Sequence, residues 1–390
     1  MATACGVPGR EGAVVRPGID VLISDSLHLL DGARVGLVTN HVGVGRNGSS
    51  NVELLLGAGV NLTTLLSPEH GFRGLLDQEN IGRSVDTATG LPIYSLYGET
   101  RTPTHDMLES VDVLVIDLQD IGTRTYTYIS TALLAMKAAR ASNIRAIVLD
   151  RPNPIGGLSV QGPIMTPRDT SFVGMLQIPL RHGMTIGELA RYGDSELRLG
   201  TDLTVIPVDG WQRDMWFDAV GWPWIAPSPN MPNLESATHY PGTVMFEATN
   251  LSVGRGTPIA FQVLGAPWLR PAEVVSGLGD LPGVAVSDTT VTPESPTDGK
   301  YPGLAIPSIR LRVTDRATYD PIRVATRILV TIYAVHGGDL QIREGRLDRL
   351  AGTDAVRGAL SGGELEELWS AWDRELDRFR AKRAEFLLYE

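Results

Sequence analysis

The stretch VDVLVIDLQD, residues 111–120, is a nearly unbroken run of Val, Leu and Ile that ends on acidic side chains. A short run that is apolar at successive positions, with no polar alternation, suits a strand covered on both faces, as in a parallel sheet flanked by helices. The flanking sequence has the matching pattern. RVGLVTN (34–40) reads as a short buried strand, SSNVELLLGAG (49–59) as a helix with Ser at its start and Gly at its stop, and VNLTTLLS (60–67) as the next strand. Beyond the central run, YTYISTALLAMKAARAS (126–142) has helical spacing and IRAIVLD (144–150) is a fourth strand. Strands alternating with helices require right-handed crossovers, so the spacing predicts an α/β fold built on an open parallel sheet.

Ligands of such sheets bind outside the carboxyl ends of the strands. The residues that follow the four strands are Asn40 and His41, Glu69 and His70, Asp117 and Asp120, and Asp150 and Arg151. Four strand ends thus deliver polar or ionisable groups to one edge. Two readings of each stay open: a functional group at the ligand-binding edge, or a polar residue placed there because the chain is leaving the core.

Further along, TIGELARYGDSELRLG (185–200) opens with a Thr185/Glu188 capping box and reads as a helix, and DLTVIPVDGW (202–211) reads as a strand. WPWIAPSPNMPNLESATHYPG (222–242) is too rich in proline to remain regular for long, and marks a boundary between domains spanning 1–225 and 226–390. In the second part PGLAIPSIRLRVTD (302–315) resembles a strand, and DPIRVATRILVTIYAVHGG (320–338) a helix with Asp at its cap and Pro at its first position. The final helix carries Leu365, Leu368, Trp369, Trp372 and Leu376 on one face, a stripe suited to a core. A Pro/Thr/Asp-rich loop is expected near 288–299.

Composition narrows the function. The 390 residues are 43% hydrophobic and 20% charged, as in globular proteins, and the net charge of −11 argues against a nucleic-acid or anionic-membrane partner. Cys5 is the only cysteine, so no intrachain disulfide forms. No run of about 18 apolar residues suggests a membrane span, and the N-terminus lacks the basic and apolar regions of a secretory signal, so a cytoplasmic protein is expected. There is no H-E-x-x-H, no His or Cys pair at zinc spacing and no G-x-S-x-G elbow; neither a metal nor a cofactor is expected.

One motif points elsewhere. GVGRNG (43–48) matches the glycine pattern of nicotinamide-binding domains, with Glu69 where the ribose-binding acid would stand, and supports an alternative reading as an NAD(P)-dependent oxidoreductase. Against it, Thr39 to Val42 separate the apolar run from the first glycine, which the fingerprint needs at the strand end. What remains is a carboxylate constellation: Glu69, Asp117, Asp120, Asp150, Glu235 and Glu247. Two carboxyl groups flanking a bond, one of them protonated, are the minimal equipment for glycoside hydrolysis. Leu65, Leu66, Pro68 and Phe72 suggest an apolar setting for Glu69 that would favour its protonated form. Trp211, Trp216, Trp222 and Trp224 either stack on a sugar ring or seal a domain interface.

SPEHGFRG, GLPIYSLYGETRTPT, DLQDIGTRTYTYISTA, LDRPNPIGG, IPLRHGMTIGELA, PSPNMPNLESATHYPGT and FEATNLSVGRGT resemble, in order, the motifs of the NamZ family of exo-β-N-acetylmuramidases, over residues 16 to 390. The resemblance implies a Rossmann-like N-terminal domain, a smaller α+β C-terminal domain and an active site between them. It also implies removal of a terminal N-acetylmuramic acid from the non-reducing end of a peptidoglycan-derived saccharide. The motif glutamate falls on Glu69, which takes the acid/base role, with His70 beside it and Asp117, Asp120 or Glu247 as its partner. Asn40, Arg73, Arg124, Tyr128, Asp150, Asn153, His182, Asn230, Glu247, Asn250 and Arg255 are the expected substrate-binding residues, with Arg124 or Arg255 facing the lactyl carboxylate. Val253 stands where relatives commonly carry a glutamate, which prompts a further alternative, a muropeptide-binding protein without catalysis.

Overall fold

The computed structural model describes residues 14–74 and 82–390. In chain order the strands are β1 (Arg34–Thr39), β2 (Asn61–Ser67), β3 (Ser84–Val85), β4 (Pro92–Ser95), β5 (Val113–Asp117), β6 (Arg145–Leu149), β7 (Gln161–Ile164), β8 (Pro179–Arg181), β9 (Leu203–Ile206), β10 (Val263–Gly265), β11 (Val284–Val291) and β12 (Ile306–Val313). The first-half helices are α1 (Gly18–Asp25), α2 (Asn51–Gly57), α3 (His105–Leu108), α4 (Tyr128–Ala141) and α5 (Ile186–Glu196). The second half holds α6 (Leu234–Thr243), α7 (Pro271–Gly277), α8 (Pro321–His336), α9 (Glu344–Ala351), α10 (Ala355–Leu360) and α11 (Leu365–Arg383).

Seven strands form one sheet in the order β3-β4-β2-β1-β5-β6-β9, parallel throughout except where β3 meets β4. The alternation of side chains along each strand divides the sheet between two cores. Val35, Leu37, Leu65, Val115 and Ile147 face Ile19 and Leu22 of α1 and Val52 and Leu55 of α2. Val38, Leu66, Leu114, Ile116 and Val148 face Ile129 and Leu133 of α4 and Leu189 of α5. That second core continues without a break into Val244, Phe246, Ile309 and Ile328 of the second half, so the two halves are packed as one body. The expected α/β class and parallel sheet are what the chain adopts. The second half adds an antiparallel sheet of β10, β12 and β11 covered by helices, the expected α+β unit. No helix among the described residues is long and apolar enough to cross a membrane.

Two local expectations change. The proline-rich stretch stays irregular only as far as Asn233, whose side chain accepts from Ser236 N at 3.0 Å and starts α6; Pro241 falls near the end of that helix, where its missing N–H costs a single bond. The loop expected from residue 288 begins later, because β11 runs to Val291 and pairs with β12 along eight residues. Most of β11 is at least partly exposed, so its sequence lacks the apolar signature of a buried strand.

Candidate active site

The chain leaves β2 through Pro68 and Glu69 and turns sharply, with His70 and Gly71 both in the left-handed region (φ 71° and 75°) and Gly71 N donating to Pro68 O. This turn holds the Glu69 side chain at the edge of a cavity of about 360 Å³. Its floor is the start of α4: Thr125, Tyr126 and Thr127 line it, and the Thr127 hydroxyl donates to Glu69 Oε2 at 2.5 Å. The apolar setting expected from the flanking residues is absent. Leu65 and Phe72 pack in one core and Leu66 in the other, because adjacent strand residues point to opposite faces, and the carboxyl is left among hydroxyls.

The opposite wall comes from the second half of the chain: Ser228, Asn230 and Met231, Tyr240 of α6, Glu247, Arg255, and Arg346 and Arg349 of α9. Glu247 is clamped by Arg255, whose Nε and Nη2 lie 2.7 and 2.5 Å from Oε1, while Arg346 Nη2 stands 3.6 Å from Oε2. The Tyr240 phenol is held protonated first by burial and then by the charge of Glu247, with Glu69 adding to the effect; the one ring therefore feels both carboxylates. Arg101 closes the rim, its guanidinium 4.3 Å above the Phe172 ring and 5.5 Å from that of Tyr97. Neither Arg101 nor Arg349 has an acidic partner among the described residues, so the cavity concentrates positive charge in a protein of net charge −11.

Of the residues expected from the sequence, Glu69, His70, Asn230, Glu247 and Arg255 meet in this cavity. The others lie outside it, and all but Arg73 have an evident structural task. Asp117 is fully buried, paired with Arg151 (2.5 and 2.9 Å) and accepting from Asn51 at 2.8 Å, which corrects its assignment as partner of Glu69. Asp120 accepts from Gly122 N at 2.6 Å and stands 3.3 Å from His182 Nε2, both side chains buried. Arg124, expected to meet a substrate carboxylate, instead donates to the carbonyls of Pro163, Ile178 and Leu350, and burial brings its pKa down to about 9. Asn40 donates to the Tyr128 hydroxyl, which donates in turn to Pro227 O, so this pair supports the cavity wall from behind. Asn153 ties Met184 O to Ile155 N, Asn250 ties Asp339 O to Gln341 N, and Arg73 is exposed, 3.8 Å from Asp86.

Asp150 anchors the far end of the chain. Its carboxyl accepts from the Thr185 and Tyr389 hydroxyls at 2.7 and 2.5 Å and from Gly187 N at 2.7 Å. Burial pushes it up to about 7, the two hydroxyls pulling the other way and the charge of Glu188 adding to the rise. Leu388 N donates to Glu188 Oε1 and Arg213 N to Glu390 O, fastening residues 388–390 to the first half.

The glycine-rich loop is built differently from a pyrophosphate cradle. A Cβ on Gly43 would stand 2.2 Å from the Asn51 side chain and one on Gly45 2.5 Å from Asp20, so these glycines make room for neighbouring side chains. The amides a pyrophosphate would need are already used: Arg46 N donates to Asp20, Ser50 N to Glu53 and Glu53 N to Ser50, closing the start of α2 with a capping box. Val253, the position that prompted a non-catalytic reading, is fully buried in the main core and away from the cavity. Trp211 packs edge-on against Tyr389 and the Trp216 ring lies under the guanidinium groups of Arg181 and Arg316, both sealing roles, while Trp222 and Trp224 border a separate cavity.

Arg346 and Arg349 were not evident from the sequence, since basic residues on an amphipathic helix look like a solvated face. Only the pairing of α9 with the segment around Glu247, where Arg343 Nη2 donates to Glu247 O at 2.6 Å, brings them to the cavity.

Comparison with known proteins covers nearly the whole chain. Residues 35–235 match the family model for the N-terminal domain of exo-β-N-acetylmuramidase NamZ, and residues 238–389 match its C-terminal domain. The peptidoglycan β-N-acetylmuramidase NamZ of Bacillus subtilis (strain 168) is 41% identical over 381 residues, 96% of this chain and 91% of that protein. Two crystal structures of DUF1343 family proteins from Bacteroides fragilis NCTC 9343 superpose with TM-scores of 0.89 and 0.76 at 34% and 30% identity, each covering 97% of this chain and 99% of the other.

Proposed function

The chain belongs to the exo-β-N-acetylmuramidase NamZ family and is a glycoside hydrolase acting on peptidoglycan-derived saccharide, and from that premise we propose that Glu69 is its acid/base group and Glu247 the fixed anion opposite. An exo-acting β-N-acetylmuramidase breaks the bond at the anomeric carbon of a terminal N-acetylmuramyl unit, so that unit is the non-reducing end. The observation that carries the assignment is the meeting of Glu69 and Glu247 across one cavity, each from a different half of the chain. With Thr127 donating to Oε2, the proton that reaches the glycosidic oxygen is carried on Oε1 of Glu69. Arg255 pairs with Glu247 and holds its carboxylate in place to face the oxocarbenium-like transition state. The lactyl carboxylate of the sugar meets Arg101 and Arg349, the cavity's cations without acidic partners among the described residues, in place of the buried Arg124.

Release of the chromophore from an aryl β-N-acetylmuramide tests this. The wild type turns it over and Glu69→Gln does not; full activity in the variant would refute the assignment.

A further inference from the structure

A second cavity, of about 200 Å³, lies between the glycine-rich loop and residues 222–225 and shares no lining residue with the catalytic one. It sits at the carboxyl ends of β1, β5 and β6, beside the place where chain order reverses from β1–β2 to β1–β5, the position at which open α/β sheets accept ligands. We propose that it is an accessory site for a neutral N-acetylhexosamine ring; only the choice of a sugar rests on the hydrolase reading above.

The argument starts from what the walls have left to offer. Trp222 Nε1 donates to Val15 O and Trp224 Nε1 to Met231 O, so both indoles have their polar ends committed elsewhere and border the cavity with carbon. Phe217 packs edge-on against both, at 6.2 and 5.2 Å, which fixes the rings before any ligand arrives. The polar groups are equally committed. Gln119 spends Nε2 on the carbonyls of Asp120 and Pro152, leaving Oε1 as an acceptor; Arg151 spends Nε and Nη2 on Asp117 and Val44 O, leaving Nη1 as a donor. One fixed acceptor and one fixed donor beside an aromatic wall match the N–H and C=O of an acetamido group on a pyranose whose apolar face stacks on indole.

Charge selects the neutral sugar. Asp117 already balances Arg151 through two contacts, and Arg46, the other cation on the lining, is exposed where solvent screens it, so this cavity attracts an anion less than the arginine-lined catalytic cavity does. The two cavities are also mechanically joined. Ile225 lines one and Ser228 the other, while the carbonyls between them are held by His41 (Ala226 O, 2.8 Å) and Tyr128 (Pro227 O, 2.7 Å). An occupant pressing on Trp224 therefore bears on Met231 of the catalytic wall.

Titration of Glu69→Gln protein with methyl β-N-acetylglucosaminide, followed by indole fluorescence, tests the site without turnover. Saturable quenching is expected, with at least 10-fold weaker binding in Val44→Phe and in Ile225→Phe, which fill the cavity from opposite walls. In the wild type the same glycoside is expected to alter aryl muramide hydrolysis in a mixed, non-competitive pattern. Absence of binding, purely competitive inhibition, or unchanged affinity in either filled variant overturns the proposal. Quenching by indole or adenine in preference to the sugar overturns the ligand class. Loss of muramide hydrolysis in the wild type overturns the hydrolase reading instead, and leaves the fluorescence result standing.

Discussion

The Thr127 hydroxyl donates to Glu69 Oε2 at 2.5 Å, joining the end of the second strand to the first turn of α4. One oxygen of the carboxyl is thereby committed as an acceptor and the other is free to exchange a proton with the substrate. Thr127→Val removes that constraint without removing the acid. A fall in kcat of about 10-fold is expected, the equivalent of roughly 1–1.5 kcal/mol for one hydrogen bond. Thr127→Ser is expected to retain most of the rate; equal losses in both variants would separate the hydroxyl from the chemistry.

Arg349 sits on the cavity wall without an acidic partner among the described residues. Arg349→Gln is expected to raise KM for an aryl muramide about 10-fold with little change in kcat, the signature of binding lost equally from ground and transition states. The same substitution should leave the KM of a substrate whose lactyl carboxyl is amidated nearly unaltered. Steady-state kinetics on the two substrates decide the matter.

Asp150 gives a pH dependence whose sign can be worked out. Its folded pKa, about 7, lies above the unfolded value of about 4, so the native state holds the proton more tightly. The stability this contributes is complete below about pH 4 and is lost as pH rises to 7. Thermal unfolding of the wild type and Asp150→Asn between pH 4 and 8 should show the difference between them changing across that window and level above it. A constant difference would place the titration elsewhere.

Gly74 has φ +66°, and a Cβ there would lie 1.8 Å from the His41 ring. Gly74→Ala must displace His41 from the carbonyl of Ala226, so a loss of at least about 2 kcal/mol is expected from strain and the broken contact together. Denaturant unfolding measures it, and activity should fall with it, because the same segment carries Ser228 and Asn230 into the cavity.

The parallel sheet and the edge bearing Glu69 were legible because a strand apolar at consecutive positions has few other uses, and because carboxyl ends converge by geometry. The same reasoning overreached at Asp117, Asp120 and Asp150. A polar residue leaving a strand can face a ligand or fasten a loop, and these three fasten: to Arg151, to Gly122 N and to Tyr389. For Asp117 and Asp150 nothing local separates the two cases, since the deciding partner lies 34 residues away for the first and 239 for the second. Arg124 misled for a related reason: a buried guanidinium that satisfies three carbonyls carries the same letter as one that grips a substrate.

The clamp between Asp150 and Tyr389 has a temporal side. A ribosome delivers the first member 239 positions before the second, so the nascent first lobe holds an interior carboxyl whose nearest hydroxyl has yet to be made. The bond between Asp150 and Tyr389 can therefore close only after residue 389 has been translated. A polypeptide halted near residue 235 keeps all seven strands of the large sheet and still lacks its latch.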